Sequence, residues 1–173
     1  MAVMEITGDP QHDRYERVYH GGTFNANPYC AATGNAALNI VATGEMQANA
    51  DRMAERLRPY GLRWFEEPLV PSDLEGHVEL RKRIPWMPIA TGEDHHGRWT
   101  FRQLIEHRAV DVLQPDIKWC GGLSEALKIY TLGEAAGLIT VPHTGAGTPW
   151  GQHFAIAMPE SPMAEFWMGS DPG

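Results

Sequence analysis

Five ionisable residues stand where short apolar runs stop. Glu66 closes Leu62-Arg63-Trp64-Phe65, and Glu93 follows Met87-Pro88-Ile89-Ala90-Thr91-Gly92. Asp116 ends the run from Val110 to Pro115, His143 follows Leu138 to Pro142, and Glu165 follows Met163-Ala164. Carboxylates are hard oxygen donors, the kind Mg²⁺ takes while keeping several waters. An imidazole beside a carboxylate is a candidate general base, because the carboxylate can accept one ring N–H and orient the ring. His143 with Asp116 is that candidate pair. His95 and His96 stand together in Asp94-His95-His96-Gly97, where contact with substrate hydroxyls competes with a plain loop role. Taken singly, each carboxylate could equally be a rim residue paired with Arg or Lys.

The five residues recur roughly 25 residues apart, about the length of one strand–helix unit. A regular recurrence of this kind brings one ionisable group per unit to the same height. It suits a (β/α) barrel, whose chemistry sits at the carboxyl ends of its strands. Alternation places Leu62, Trp64 and Glu66 on one face of the first strand. Between the strands, Ser72 or Asp73 can cap a helix carrying Leu74, Val78 and Leu80 and ending in Arg81-Lys82-Arg83. The next helix runs from Arg98 to His107 with Phe101, Leu104 and Ile105 on its buried side. Gly122 to Gly137 is the strongest helical stretch, with Leu123, Ala126, Leu127 and Tyr130 at helical spacing. Thr144 to Pro149 is a loop, and a short helix runs from Gly151 to Met158. The fold class is α/β: a partial (β/α) barrel of about five strands, preceded by a mainly helical segment. In that segment Pro28 opens an Ala-rich helix ending near Thr43-Gly44, and a second helix runs from Glu45 to Arg58.

Composition narrows the partners. The chain has 173 residues, 43% of them hydrophobic, a net charge of −8 and a pI of 5.4, so a folded core is expected and a nucleic-acid or anionic-membrane surface is not. No apolar stretch reaches membrane-spanning length, and Met1 to Gly8 lacks the pattern of a signal peptide. Cys30 and Cys120 lie in different segments and form neither a disulfide framework nor a zinc site. A reducing, cytoplasmic setting is the default expectation.

Two resemblances follow from motifs. His20-Gly21-Gly22-Thr23-Phe24-Asn25-Ala26-Asn27-Pro28, with the helix after it, resembles class III pyridoxal-phosphate aminotransferases over residues 1–58. That resemblance implies a place for Thr23 near a cofactor phosphate. The same family needs a Schiff-base Lys, and no Lys occurs before Lys82. Residues 60–173 resemble the mandelate racemase-like branch of the enolase superfamily, and in particular its sugar-acid dehydratases such as L-rhamnonate dehydratase. The motifs are Trp64-Phe65-Glu66-Glu67-Pro68, Thr91-Gly92-Glu93, Gln114-Pro115-Asp116 with Trp119-Cys120-Gly121-Gly122, Val141-Pro142-His143 and Ala164-Glu165-Phe166, in the family's order.

That second resemblance implies Mg²⁺ as cofactor, with Glu66 and Glu93 as metal ligands. It implies His143 as the base, Asp116 as its partner, and Glu165 as a hydrogen-bonding or acidic partner of the enediolate. The substrate would be the carboxylate of a sugar acid, losing its α-proton and then a β-hydroxyl. The family also carries a third carboxylate ligand, earlier barrel strands and a capping domain, none of which has a match before Arg58. The expectation is therefore the C-terminal half of a dehydratase-like barrel, with an incomplete metal site and a tendency to form homo-oligomers or aggregate. A non-catalytic interaction module made by gene fusion is the first alternative. A pyridoxal-phosphate enzyme remnant is the second.

Overall fold

The computed structural model describes residues 28–166. The loop containing Thr23 and the polar stretch before it lie outside the described residues. The chain divides into two compact units, Met1–Gly44 and Glu45–Gly173. In the first, α1 spans Pro28–Ala42, with proline at the helix start as expected. Thr43 closes it by donating from N and Oγ1 to the Ile40 carbonyl.

The second unit runs α2 (Glu45–Leu57), β1 (Phe65–Glu66), α3 (Leu74–Arg83), β2 (Ile89–Thr91), α4 (Gly97–Glu106), β3 (Val112–Leu113), α5 (Leu123–Ala135), β4 (Ile139–Thr140) and α6 (Pro149–Ala157). A single 3₁₀ turn, Arg58–Tyr60, leads from α2 towards β1. The four strands form one parallel sheet in the order β1-β2-β3-β4. Neighbours in sequence are neighbours in the sheet, the strand–helix progression of a (β/α) barrel. The fold is α/β and the barrel partial. The compact unit starts at Glu45, so α2, assigned on sequence to the segment 1–58, packs with the strand-bearing part. Ala50 and Ala54 of α2 are buried in its core.

Side chains cap α3 and α6. Asp73 caps α3, its carboxylate accepting from the Gly76 N–H at 2.8 Å. Thr148 caps α6 ahead of Pro149. Asp111 fastens the lower end of the sheet, accepting from Arg81 Nε at 2.9 Å and from the Ile89 N–H at 3.0 Å.

The strands alternate strictly. Ile89 and Leu113 face the helices, in a core with Leu80, Phe101, Leu104, Ile129 and Phe154. Ala90, Val112 and Val141 face the other way, in a smaller cluster with Trp64, Ile139 and Met163. That inner cluster covers the sheet face turned away from the helices. Its three central residues are buried within the chain itself.

Two expectations need correction. No fifth strand forms at Met163–Trp167 among the described residues. Pro159 and Pro162 remove two ladder donors. The segment still lies along β4 and its following loop, the Thr140 N–H donating to Glu160 O and the Ala146 N–H to Glu165 O. In α5 the buried stripe is Ala126, Ile129, Tyr130 and Gly133, while Leu123 and Leu127 are exposed. Gly133 lets the helix close on the sheet: a Cβ there would come 2.7 Å from Leu113 Cδ1.

Candidate active site

Alternation carries Glu66, Gln114 and His143 onto the inner face, at the carboxyl ends of β1, β3 and β4. Beyond β3 and β4 an isolated parallel bridge pairs Asp116 with His143. Neighbouring backbone positions in such a bridge bring their side chains side by side. His143 Nδ1 lies 3.2 Å from Asp116 Oδ2, and Asp116 Oδ1 is held by the Lys118 N–H at 2.7 Å. The other ring nitrogen, Nε2, lies 3.1 Å from Glu93 Oε2. The imidazole thus spans two carboxylates from β2 and β3. Sequence reasoning expects the first contact and misses the second.

Glu66 forms a second group. Its Oε2 accepts from Trp64 Nε1 at 2.9 Å and from Gln114 Nε2 at 2.8 Å. The same Gln114 nitrogen donates to Glu165 Oε1 at 2.7 Å, and Glu165 Oε2 accepts from the Thr144 N–H at 3.1 Å. Burial pushes the Glu165 carboxyl above the usual carboxylate range, and the charge of Glu66 adds to this. Glu93 is also raised, chiefly by burial. The facing His143 opposes that rise, and the charges of Glu67, Asp94 and Glu66 reinforce it. The strand-end carboxylates therefore lie close enough to repel one another. All five sequence-nominated residues meet at one end of the sheet.

Backbone geometry separates Glu66 from its neighbour. Glu67 has φ 42°, an uncommon value for a residue with a side chain. That turn sends its carboxylate away from Glu66, to accept from Thr91 Oγ1 and from the Gly92 N–H at 3.1 Å. Thr144, directly after His143, has φ 50°. Glu93, Asp94, Asp116, Trp119 and His143 line a cleft of about 220 Å³. A larger cavity, about 430 Å³, lies at the opposite end of the strands around Arg81, Met87 and Asp111 and contains none of the five.

His95 and His96 take no place in this cleft. His95 is buried, meets Phe101 in a tilted ring contact and has its charged form disfavoured, chiefly by burial. His96 precedes α4, with Nδ1 3.0 Å from the Trp119 carbonyl. Sequence reasoning names Gln114, Trp64 and Trp119 but assigns none of them a role in the site. Period-two alternation with Glu66 signals Trp64 alone.

Among the described residues, no three His, Cys, Asp or Glu groups converge tightly enough to hold a metal ion by themselves. The donor chemistry at Glu66 and Glu93 nonetheless fits a hard cation. They offer two carboxylates from adjacent strands, on one end of the sheet, close enough for one to raise the other. Waters would complete the shell.

Residues 34–172 match the model of the enolase C-terminal domain-like family. The chain belongs to that family. The match starts inside the stretch for which the sequence suggests an aminotransferase, and the relatives named here lend that suggestion no support. L-rhamnonate dehydratase of Saccharopolyspora erythraea is 43% identical over 120 residues, 69% of this chain and 30% of its own length. L-talarate dehydratase of Polaromonas, solved with Mg and L-glucarate, is 40% identical with a TM-score of 0.63, over 70% of this chain and 33% of that one. Rhamnonate dehydratase of Gibberella zeae, solved with Mg, is 33% identical with a TM-score of 0.67, over 73% of this chain and 30% of that one. The chain thus spans about a third of the length of these family members.

Proposed function

We propose that this chain supplies the acid–base side of a Mg²⁺-dependent sugar-acid dehydratase. The observation that carries the reading is His143 held at both ring nitrogens by strand-end carboxylates, beside a second pair of carboxylates on the same sheet end. Glu66 and Glu93 would hold the cation. When bound, Mg²⁺ neutralises charge developing on the substrate carboxylate.

The chain's own groups supply the rest. Asp116 accepts the Nδ1–H of His143, and once Glu93 turns from Nε2 to the cation, Nε2 is the atom free to take a proton from the carbon next to the substrate carboxylate. The Asp116 contact at Nδ1 fixes the ring's orientation before substrate arrives. Glu165, raised by burial, keeps a proton more readily than a surface carboxyl. Placed at the same end of the sheet, it would donate a hydrogen bond or a proton to an oxygen of the substrate. Loss of the α-proton and of the β-hydroxyl, leaving as water, gives an enol that relaxes to a 2-keto-3-deoxy acid. Trp119 gives the cleft an apolar wall beside its carboxylates.

The test is proton exchange. The purified chain is incubated in D₂O with Mg²⁺ and a panel of aldonic and aldaric acids, and NMR follows both the C2 proton and any keto acid. The expected result is Mg²⁺-dependent exchange at C2, lost in His143→Asn by at least about 100-fold, the scale of general acid–base catalysis. Exchange that survives His143→Asn unchanged, or its absence with every acid tried, would overturn the proposal.

A further inference from the structure

Gln114 follows β3 directly and is 2% exposed. Its one amide nitrogen donates to carboxylates 48 and 51 residues away in sequence, Glu66 Oε2 at 2.8 Å and Glu165 Oε1 at 2.7 Å. An amide nitrogen carries two hydrogens, one for each partner. The carbonyl oxygen of the same side chain is buried without a hydrogen-bond partner among the described residues. Turning the amide over would press that oxygen against both carboxylates, so the carboxylates dictate its orientation. A buried acceptor left unmade is costly, and such exceptions ask for an explanation.

The explanation lies in what the amide does to Glu66. Trp64 and Gln114 both donate to Oε2 of that carboxylate. No hydrogen bond falls on its Oε1 among the described residues. One oxygen is saturated by two donors of fixed direction, and the other is left with its lone pairs open. We propose that Gln114 is a positioning residue. It holds Glu66 with Oε1 presented to a cation, and it holds Glu165 against the same anchor so that cation site and acid keep a fixed separation. This inference rests on the reading of Glu66 as a metal ligand. Ligating carboxylates depend on such hydrogen-bond partners for orientation, and loss of one weakens metal binding by about 10–100-fold. Gln114 itself touches neither metal nor substrate.

Three proteins test it: the native chain, Glu66→Gln and Gln114→Met. Met keeps the length and apolar volume of the side chain but cannot donate. Tb³⁺ is titrated in and read by Trp-sensitised luminescence, then displaced with Mg²⁺. The native chain is expected to bind Mg²⁺, Glu66→Gln to lose most of that affinity, and Gln114→Met to lose about 10–100-fold. If Glu66→Gln binds Mg²⁺ as the native chain does, the metal reading falls and this inference with it. If Glu66→Gln is impaired and Gln114→Met stays within about twofold of the native affinity, the inference alone is overturned. Should Gln114→Met fail to melt cooperatively, ¹⁵N NMR of the native chain decides. Both Gln114 side-chain N–H signals are expected to shift on adding Mg²⁺, and unmoved signals would overturn the proposal.

Discussion

A carboxylate that closes a strand is desolvated by the sheet behind it and shares the mouth with the groups closing its neighbours. Glu93 and Glu165 feel both effects, burial first and like charge after, and both are raised. A carboxyl with a higher value folded than unfolded binds more protons in the folded state. Its contribution to stability is full below the unfolded value and is lost as pH rises through the folded one. The metal-free chain should therefore lose stability on going from mildly acidic to neutral pH. Mg²⁺ competes with those protons. Thermal melts should accordingly show Mg²⁺ raising Tm more at about pH 8 than at about pH 5, in comparison with EDTA at each pH. An equal increment at both, or none at either, would count against a cation at these carboxylates. Most of this cluster was readable beforehand, because Glu66, Glu93, Asp116 and His143 each follow an apolar run and a turn signal. Gln114 was not, because a neutral amide at a strand end looks like any polar terminus. Its partners lie too far along the chain to be inferred from spacing.

At the scale of the element, the site is held by how closely β2 and β3 approach. Gly92 leaves β2 with φ +146°, and a Cβ there would come 2.9 Å from the backbone carbon of Gln114 and 2.8 Å from Phe101 Cε1. The neighbour is main chain and cannot swing aside. Gly92→Ala should cost about 1–3 kcal/mol by overpacking. It should also displace Gln114 and weaken Mg²⁺ binding, both through Gln114 and through the adjoining Glu93. Urea unfolding with a parallel Mg²⁺ titration checks both effects. Unchanged stability would mean that β3 gives way more easily than its contacts imply. The start of α3 was legible because Asp73 offers a cap, whereas Pro149 was read as the end of a loop although α6 begins there, two residues before the expected Gly151. The fifth strand was misjudged because the apolar pair Met163-Ala164 outweighed the nearby prolines. The exposed Leu123 and Leu127 show that helical spacing defines a stripe without saying which stripe meets the sheet. Only the fit of Gly133 against Leu113 decides that.

For the whole strand-bearing unit, the question is what closes the sheet. The sheet order makes β1 and β4 its edges. The β4 edge is covered by the proline-containing segment that accepts from Thr140 and Ala146. The outer edge of β1 pairs with no strand among the described residues. Tyr60 and Leu62 flank it, 74% and 41% exposed. The inner face argues less strongly for association than the sequence suggests, since Ala90, Val112 and Val141 are covered from within. What remains is an edge of unpaired backbone groups next to apolar side chains, the arrangement that folded proteins normally shield. An uncatalytic association module would exploit this edge, and a dehydratase would need it covered, so its behaviour bears on both readings. The chain is expected to self-associate through β1, and Leu62→Lys, which places a charge beside the edge, is expected to shift it towards monomer. Light scattering coupled to gel filtration decides. A native chain that elutes as a single species near 19.3 kDa, with a cooperative melt, would show that the edge is already satisfied within one molecule.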